Sequence, residues 1–208
     1  MKHHYRSPIE FEVEEVKAPD GTPIGVRFHS LEAADRDLEY FYVTLQKLDE
    51  LLATGDGGEG AVLPEAEKLV PSAREALADD INTPKVMAAL HEAAALANKL
   101  LASGKGIDKQ LRRRTLARLA RDIRAVGDAL GILANDPTAY LRDRRERLVR
   151  RKNIDVARVE ALMTERAAAR AAKDFTRSDA IRAELQAMGI ELLDTPQGTD
   201  WRVHDDAS

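Results

Sequence analysis

Cysteine is absent from this chain of 208 residues, which excludes disulfide bonds, thiolate zinc sites and cysteine nucleophiles. Aromatic residues make up only 4% of the chain, whereas hydrophobic residues of all kinds make up 44%. The core must therefore consist mainly of Leu and Ala side chains, which suits packed helices. No run of about 18 apolar residues occurs and the N-terminus is polar and acidic, so we expect no membrane span, no signal peptide and a cytoplasmic location.

Recognisable catalytic patterns are also missing. The chain contains no glycine-rich loop with the spacing that cradles phosphates. Asp79 and Asp80 could be interpreted as an acid–base pair, but no nucleophile accompanies them, and Asn82 more simply satisfies backbone groups at a corner between two helices. His3 and His4 point in different directions and have no third ligand nearby, so we expect no metal site.

Charge is distributed unevenly along the chain. Residues 1–104 hold 10 basic and 19 acidic residues, a net charge of -9, whereas residues 105–208 hold 22 and 17, a net charge of +5. Such asymmetry is typical of a protein that binds a polyanion with one half. On charge alone, a solvated helical surface rich in both signs is the simpler explanation.

Hydrophobic residues recur every three or four positions over most of residues 30–134, which predicts an antiparallel bundle of helices. Four helices are expected. The first is Ser30–Ala53, and the second runs from Pro64 or Pro71 to Ala78. The third is capped by Thr83 and runs to Ser103, and the fourth is Lys109–Leu130. Before the bundle, the alternating segment 10–14 and the segment 25–28 are expected to pair as a hairpin around a turn at 20–23.

A strongly basic segment follows the bundle, at residues 135–154. Over residues 139–152 its basic residues are Arg142, Arg144, Arg145, Arg147, Arg150, Arg151 and Lys152, offset only by Asp143 and Glu146. The segment is predicted to be a linker helix. Its charge fits two roles, a solvated surface or a track along a phosphate backbone.

Residues 155–208 are predicted to form a small α+β unit. Two helices, broken near Lys173, are followed by a hairpin around a turn-forming cluster at 195–199. Thr176 is expected to cap the second helix, which places Asp179 in its first turn, and Gly189 is expected to end it. Trp201 is expected to pack in the small core rather than to stack on a ligand. The predicted fold is therefore mainly α, a helical bundle followed by two helices and a β-hairpin.

This terminal unit resembles the C-terminal domain of cysteinyl-tRNA synthetases, which are class I aminoacyl-tRNA synthetases. The shared pattern stands here as Arg166, Ala169-Arg170, Lys173-Asp174-Phe175, Ser178-Asp179, Arg182, Gly189-Ile190, Leu192, Asp194, Pro196-Gln197-Gly198-Thr199 and Trp201-Arg202. The family also carries a motif similar to Ala76–Pro84. Asp128-Ala129-Leu130 resembles the element that names the DALR bundle, although Gly131 stands where the name has Arg.

The resemblance implies a domain order. Residues 1–29 would be the remnant of a junction with a catalytic half, because His4-Tyr5-Arg6-Ser7-Pro8 is similar to the segment that closes that half. Residues 30–134 would form the DALR-type bundle, 135–154 the basic linker helix and 155–208 the anticodon-binding domain. The acidic insert at 12–28 has no functional explanation.

The resemblance also implies roles for individual residues. The family's anticodon-reading positions fall on Arg170, Phe175, Asp179 and Asp194, and many members have Trp where Phe175 stands. Stacking survives with Phe but an indole donor is lost, so we expect weaker discrimination there. Contacts with the tRNA backbone are expected from Arg144, Arg147, Arg151 and Arg166.

The expected function is recognition of the tRNA(Cys) anticodon stem-loop for cysteinyl-tRNA formation, without catalysis by this chain alone. ATP and zinc would belong to the catalytic half, whose nucleotide-binding motifs do not occur in these 208 residues. The expected partners are tRNA(Cys) and a separately encoded catalytic half, with neither membrane nor DNA. An alternative is a helical interaction module that docks on such a half or on another protein.

The basic segment leads to a first prediction. If residues 139–152 follow a phosphate backbone, the affinity for RNA falls steeply with salt, because each neutralised phosphate releases counterions. A filter-binding titration at several salt concentrations measures this dependence. A flat response would remove the segment from RNA binding.

Overall fold

The computed structural model describes residues 16–17, 23–24, 31–195 and 198–203, and within these ranges the chain is mainly α-helical, as predicted. The helices are α1 Leu31–Leu52, α2 Leu69–Ala78, α3 Thr83–Ala102, α4 Lys109–Ala129, α5 Pro137–Lys152, α6 Val156–Ala171 and α7 Phe175–Ala187, with a short 3-10 helix at Pro64–Glu67. The strands are β1 Val16–Lys17, β2 Pro23–Ile24, β3 Ile190–Thr195 and β4 Gly198–Val203. Within the described ranges no helix combines the length and apolar character that crossing a bilayer needs.

Helices α1 to α4 share one hydrophobic core. The apolar stripes predicted from the sequence form it, and its fully buried members include Phe41, Leu45, Leu48, Val86, Leu90, Ala94, Leu116, Leu119 and Ile123. Leu and Ala dominate this core, as the low aromatic content indicated. Because alanines such as Ala94 and Ala97 are wholly buried, helices can approach closely along α3.

The end of α4 closes this core through a close contact. The side chain of Leu133 is folded back onto Gly127, and a Cβ atom at Gly127 would lie 2.9 Å from that of Leu133. The amide of Ile132 donates to the carbonyl of Gly127 at 2.8 Å, and Gly131 adopts a φ of +72°. Asp128 to Leu130 therefore form the end of α4, and the turn that follows them depends on the left-handed conformation of Gly131.

One predicted helix cap is wrong. Asn82, not Thr83, caps α3, because its side-chain oxygen accepts a hydrogen bond from the amide of Lys85 at 3.2 Å. Thr83 and Pro84 occupy the first two helical positions instead, where the missing N–H of proline costs nothing. Asp79 and Asp80 are both exposed on the turn that precedes this cap.

The N-terminal hairpin is described only at its centre. Val16 pairs with Ile24, and Lys17 pairs with Pro23, in an antiparallel register. The predicted pairing segments 10–14 and 25–28 lie outside the described residues, as do His3 and His4.

A second hydrophobic core lies among α5, α6, α7 and the β3–β4 hairpin. Its buried members are Leu148, Val159, Leu162, Ile181, Leu185, Ile190 and Val203. Helix α5 belongs to both cores, because Tyr140 and Leu141 near its start pack against the first core and Leu148 packs in the second. This helix is therefore a shared structural element, and not merely a solvated linker.

The terminal hairpin forms in the predicted place. Gly189 leaves α7 with a φ of +74°, and β3 pairs with β4 from Ile190 opposite Val203 to Thr195 opposite Gly198. Leu192 and Trp201 face each other and pack, partly buried, against the second core. The prediction that Trp201 packs in the small core is confirmed.

The contact between Gly127 and Leu133 yields a second prediction. Gly127→Ala is expected to destabilise the chain by about 1–3 kcal/mol, because the added methyl group overpacks the core. Helix propensity alone predicts the opposite sign, since Ala is favoured over Gly by about 1 kcal/mol. Urea unfolding measures the change, and Ala125→Gly at an exposed position of α4 calibrates propensity. A Gly127→Ala variant as stable as the parent would contradict the packing.

Candidate nucleic-acid interface

The chain reverses direction between α6 and α7 in the three residues 172–174. The amide of Lys173 donates to the carbonyl of Arg170 at 3.0 Å, and the amide of Asp174 donates to the carbonyl of Ala169 at 2.9 Å. These two bonds satisfy carbonyls that the end of α6 leaves without helical partners. The reversal is therefore a defined, hydrogen-bonded connection.

Asp174 caps α7, so the prediction that Thr176 does so is wrong. The carboxylate of Asp174 accepts from the amide of Arg177 at 2.9 Å, and a negative charge is favourable at a helix N-terminus. Helix α7 consequently begins at Phe175, and Asp179 lies in its second turn instead of its first. The earlier start places Phe175 at the very beginning of the helix.

Phe175 is unusually exposed for an aromatic residue. Its exposed fraction is 63%, and it is one of two large hydrophobic side chains in the described part of the chain that remain exposed. Asp179, which is also exposed, follows Phe175 by four residues and so lies on the same face of α7. Arg170, in the last turn of α6, is exposed at the same end of the helical pair.

The tip of the β3–β4 hairpin approaches the same end of α6. Asp194 lies opposite Thr199 in the register, and Arg166 Nη1 donates to Thr199 Oγ1 at 3.4 Å. Arg166 precedes Arg170 by one helical turn, so the backbone of Asp194 lies across from the helix that carries Arg170. The side chain of Asp194 is outside the described part of the structure.

A solvent-exposed ion pair links the two helices near this end. Arg177 Nε lies 2.8 Å from Glu165 Oε1, which joins α7 to α6. The hydrogen bond with Glu165 and the charge of that carboxylate raise the pKa of Arg177 above its usual value. Arg177 therefore serves the packing of the helical pair, and it leaves stacking and base contacts to its neighbours.

The predicted backbone contact at Arg144 is wrong. The side chain of Arg144 is only 4% exposed, and its guanidinium lies 2.7 Å from Asp35 and 3.2 Å from Glu39 on α1. A buried guanidinium held by two carboxylates is not available to a phosphate. The sequence does contain the signal, since Arg144 lies between Leu141 and Leu148 on the apolar face of α5.

Arg166 requires a similar correction, because it is only 6% exposed. Its guanidinium supports the hairpin through Thr199, so it is not presented to a phosphate backbone. Arg147 and Arg151 are exposed on α5, and the Arg147 guanidinium lies 5.8 Å from the ring centre of Tyr140. Those two residues remain predicted backbone contacts.

A joint between α5 and the hairpin was not foreseen from the sequence. Arg145 lies 3.3 Å from Asp200 and 5.0 Å from the centre of the Trp201 ring, as a cation–π pair. Arg202 pairs with Glu191 at 2.7 Å and lies 3.7 Å from Glu39 of α1. A cleft of about 620 Å³ lies along this joint, lined by both charged and apolar side chains.

Comparison with known domains agrees with this division. Residues 73–134 match the DALR domain, and residues 156–202 match the family described as the cysteinyl-tRNA ligase anticodon binding domain. The chain is thus of the class that combines a DALR helical domain with an anticodon-binding domain.

Curated relatives specify the family. The chain is 44% identical over 201 residues to a cysteine–tRNA ligase of Anaeromyxobacter sp. (strain Fw109-5), 38% identical to that of Geobacter metallireducens and 37% identical to that of Nitratidesulfovibrio vulgaris (strain DP4). These alignments cover 96–98% of the chain but only 37–40% of each relative. The chain therefore corresponds to the C-terminal part of cysteine–tRNA ligases.

The burial of Arg144 yields a third prediction. Arg144→Met is expected to destabilise the chain by about 3 kcal/mol, the low end of the range for breaking a buried pair, because Asp35 remains 31% exposed. Arg150→Met, at an exposed position of the same helix, is expected to change stability by less than about 0.5 kcal/mol. Urea unfolding compares the two variants. Equal stability would show that Arg144 is not a structural residue.

Proposed function

We propose that this chain binds tRNA through its terminal unit and recognises the unpaired bases of the tRNA(Cys) anticodon loop. The observation that carries the proposal is the exposed ring of Phe175 at the start of α7. A rigid aromatic plane that faces solvent, beside an arginine and a carboxylate, suits single-stranded RNA, whose splayed bases stack on aromatic side chains. The family relationship supports the same role.

Each residue of this end would make a different contact. Phe175 stacks on a base, and Arg170 donates its planar fork to a phosphate or to the edge of a base. Asp179 accepts hydrogen bonds from amino and imino groups of bases, as Asp194 would from the hairpin. Because phenylalanine lacks an indole N–H, Phe175 contributes stacking without a hydrogen bond to the base.

Exposed arginines of α5 would extend the contact along the RNA. Arg147 and Arg151 lie on the helix that joins the two cores, and phosphate contacts from such residues position an RNA without reading its sequence. We further propose that this chain contributes recognition only. Adenylation of cysteine and transfer to tRNA would require ATP and zinc bound by a separate catalytic part.

Substitutions at the exposed end test the proposal. Phe175→Ala is expected to weaken binding of tRNA with the GCA anticodon by about 1–3 kcal/mol, or roughly 5- to 150-fold in Kd, because one stacking platform is lost. Arg170→Ala and Asp179→Ala are each expected to weaken it as well. Filter binding measures the dissociation constants.

Matched controls come from the helical bundle. Ile81→Ala removes the other exposed large hydrophobic side chain, and Arg74→Ala removes an exposed arginine of α2, so neither should change the affinity. A tRNA with an altered anticodon should bind the parent chain more weakly than the native tRNA. Asp179→Ala should reduce that difference, whereas Phe175→Ala should weaken both tRNAs by a similar factor, because stacking tolerates any base. Unchanged affinity in all three terminal-unit variants would reject this site.

A further inference from the structure

Five non-glycine residues in the described part of the chain have a positive φ. They are Asp80, Ile81, Leu133, Asn153 and Lys173. Aspartate and asparagine tolerate this conformation, because their short side chains form local hydrogen bonds. Leu133 has a packing reason, since its side chain is buried on Gly127. Ile81 and Lys173 have neither explanation, because both side chains are exposed.

Lys173 occupies a position that favours glycine. It follows the end of α6 with a φ of +60°, where the left-handed residue that ends a helix is usually glycine. The chain uses glycine at the corresponding places after α4 and α7, at Gly131 and Gly189. A lysine therefore makes the fold less stable at this position than a glycine would, so its side chain needs another explanation.

The surroundings of Lys173 point to RNA. Lys173 lies between Arg170 and Phe175 in sequence, at the same exposed end of the α6–α7 pair. No ion pair of Lys173 is found among the described residues, and the adjacent carboxylate of Asp174 is occupied as the cap of α7. Lys173 is thus exposed to solvent, two residues before the exposed Phe175.

We propose that Lys173 binds a backbone phosphate of the RNA strand whose base stacks on Phe175. This inference rests on the function proposed above and adds a residue to it. An ammonium on a flexible stem acts as a point charge toward phosphate, and it does not distinguish bases. Because Lys173 and Phe175 are two residues apart, their backbones lie within about 7 Å, close enough for one strand to reach both.

The test is the substitution Lys173→Gly. If Lys173 serves binding, the melting temperature stays the same or rises, whereas if it serves the fold, the melting temperature falls. The melting temperature is expected to stay the same or to rise, by up to about 4 °C, because glycine adopts this conformation without strain. The Kd for tRNA(Cys) is expected to rise about three- to tenfold, and the salt slope to become shallower by about 0.7, because one phosphate contact is lost. The same factor is expected for a tRNA with an altered anticodon.

Two controls separate charge from backbone conformation. Ile81→Gly relieves the same kind of backbone strain at an exposed residue of the bundle, and it should match the stability change without any change in Kd. Lys173→Arg keeps the positive charge and should keep the affinity within about twofold.

The outcomes distinguish this inference from the proposed function. Unchanged Kd for Lys173→Gly, together with weakened binding by Phe175→Ala, would overturn the role of Lys173 alone. Unchanged Kd for both variants, or no binding by the parent chain, would overturn the proposed function as well. A lower melting temperature for Lys173→Gly would show that the lysine serves the fold, which also overturns the inference.

Discussion

The buried guanidinium of Arg144 is the interaction on which the relation between the two cores depends. It binds Asp35 and Glu39 of α1, and Glu39 also lies 3.7 Å from Arg202 of β4. One carboxylate of the bundle therefore contacts both α5 and the terminal hairpin. Buried ion pairs add little net stability, but an unpaired charge is costly, so this network disfavours other registers of α5 on α1. We infer that this network sets the position of the terminal unit relative to the helical bundle.

The arginines of the basic half divide into two groups with different roles. Arg144 and Arg166 are buried and hold structural elements together, whereas Arg147, Arg151 and Arg170 are exposed. The excess of positive charge in this half is thus only partly available to a polyanion. The Asp174 cap fixes the start of α7 at Phe175, and the Arg177–Glu165 pair links α7 to α6 near that start. Preorganised side chains lose less entropy on binding.

The sequence was sufficient for features that depend on local patterns. The stripe through Leu116, Leu119 and Ile123, the left-handed Gly189 and the terminal hairpin follow from periodicity and turn chemistry. Periodicity places Arg144 on the apolar face of α5, but it does not identify its partner Asp35, which lies 109 residues away in the chain. The predicted caps of α3 and α7 were wrong for another reason. Each segment holds two residues that can cap a helix, Asn82 and Thr83 at the start of α3 and Asp174 and Thr176 at the start of α7, and sequence alone does not fix the first helical residue.

We propose that an exposed end of the terminal unit binds unpaired bases of the anticodon loop. Competition between labelled tRNA(Cys) and an RNA hairpin that contains only its anticodon stem and loop tests this binding. This hairpin should displace most of the tRNA, whereas the same stem closed by a short loop without the GCA triplet should displace much less. Equal competition by the two hairpins, or no competition by either, would contradict it.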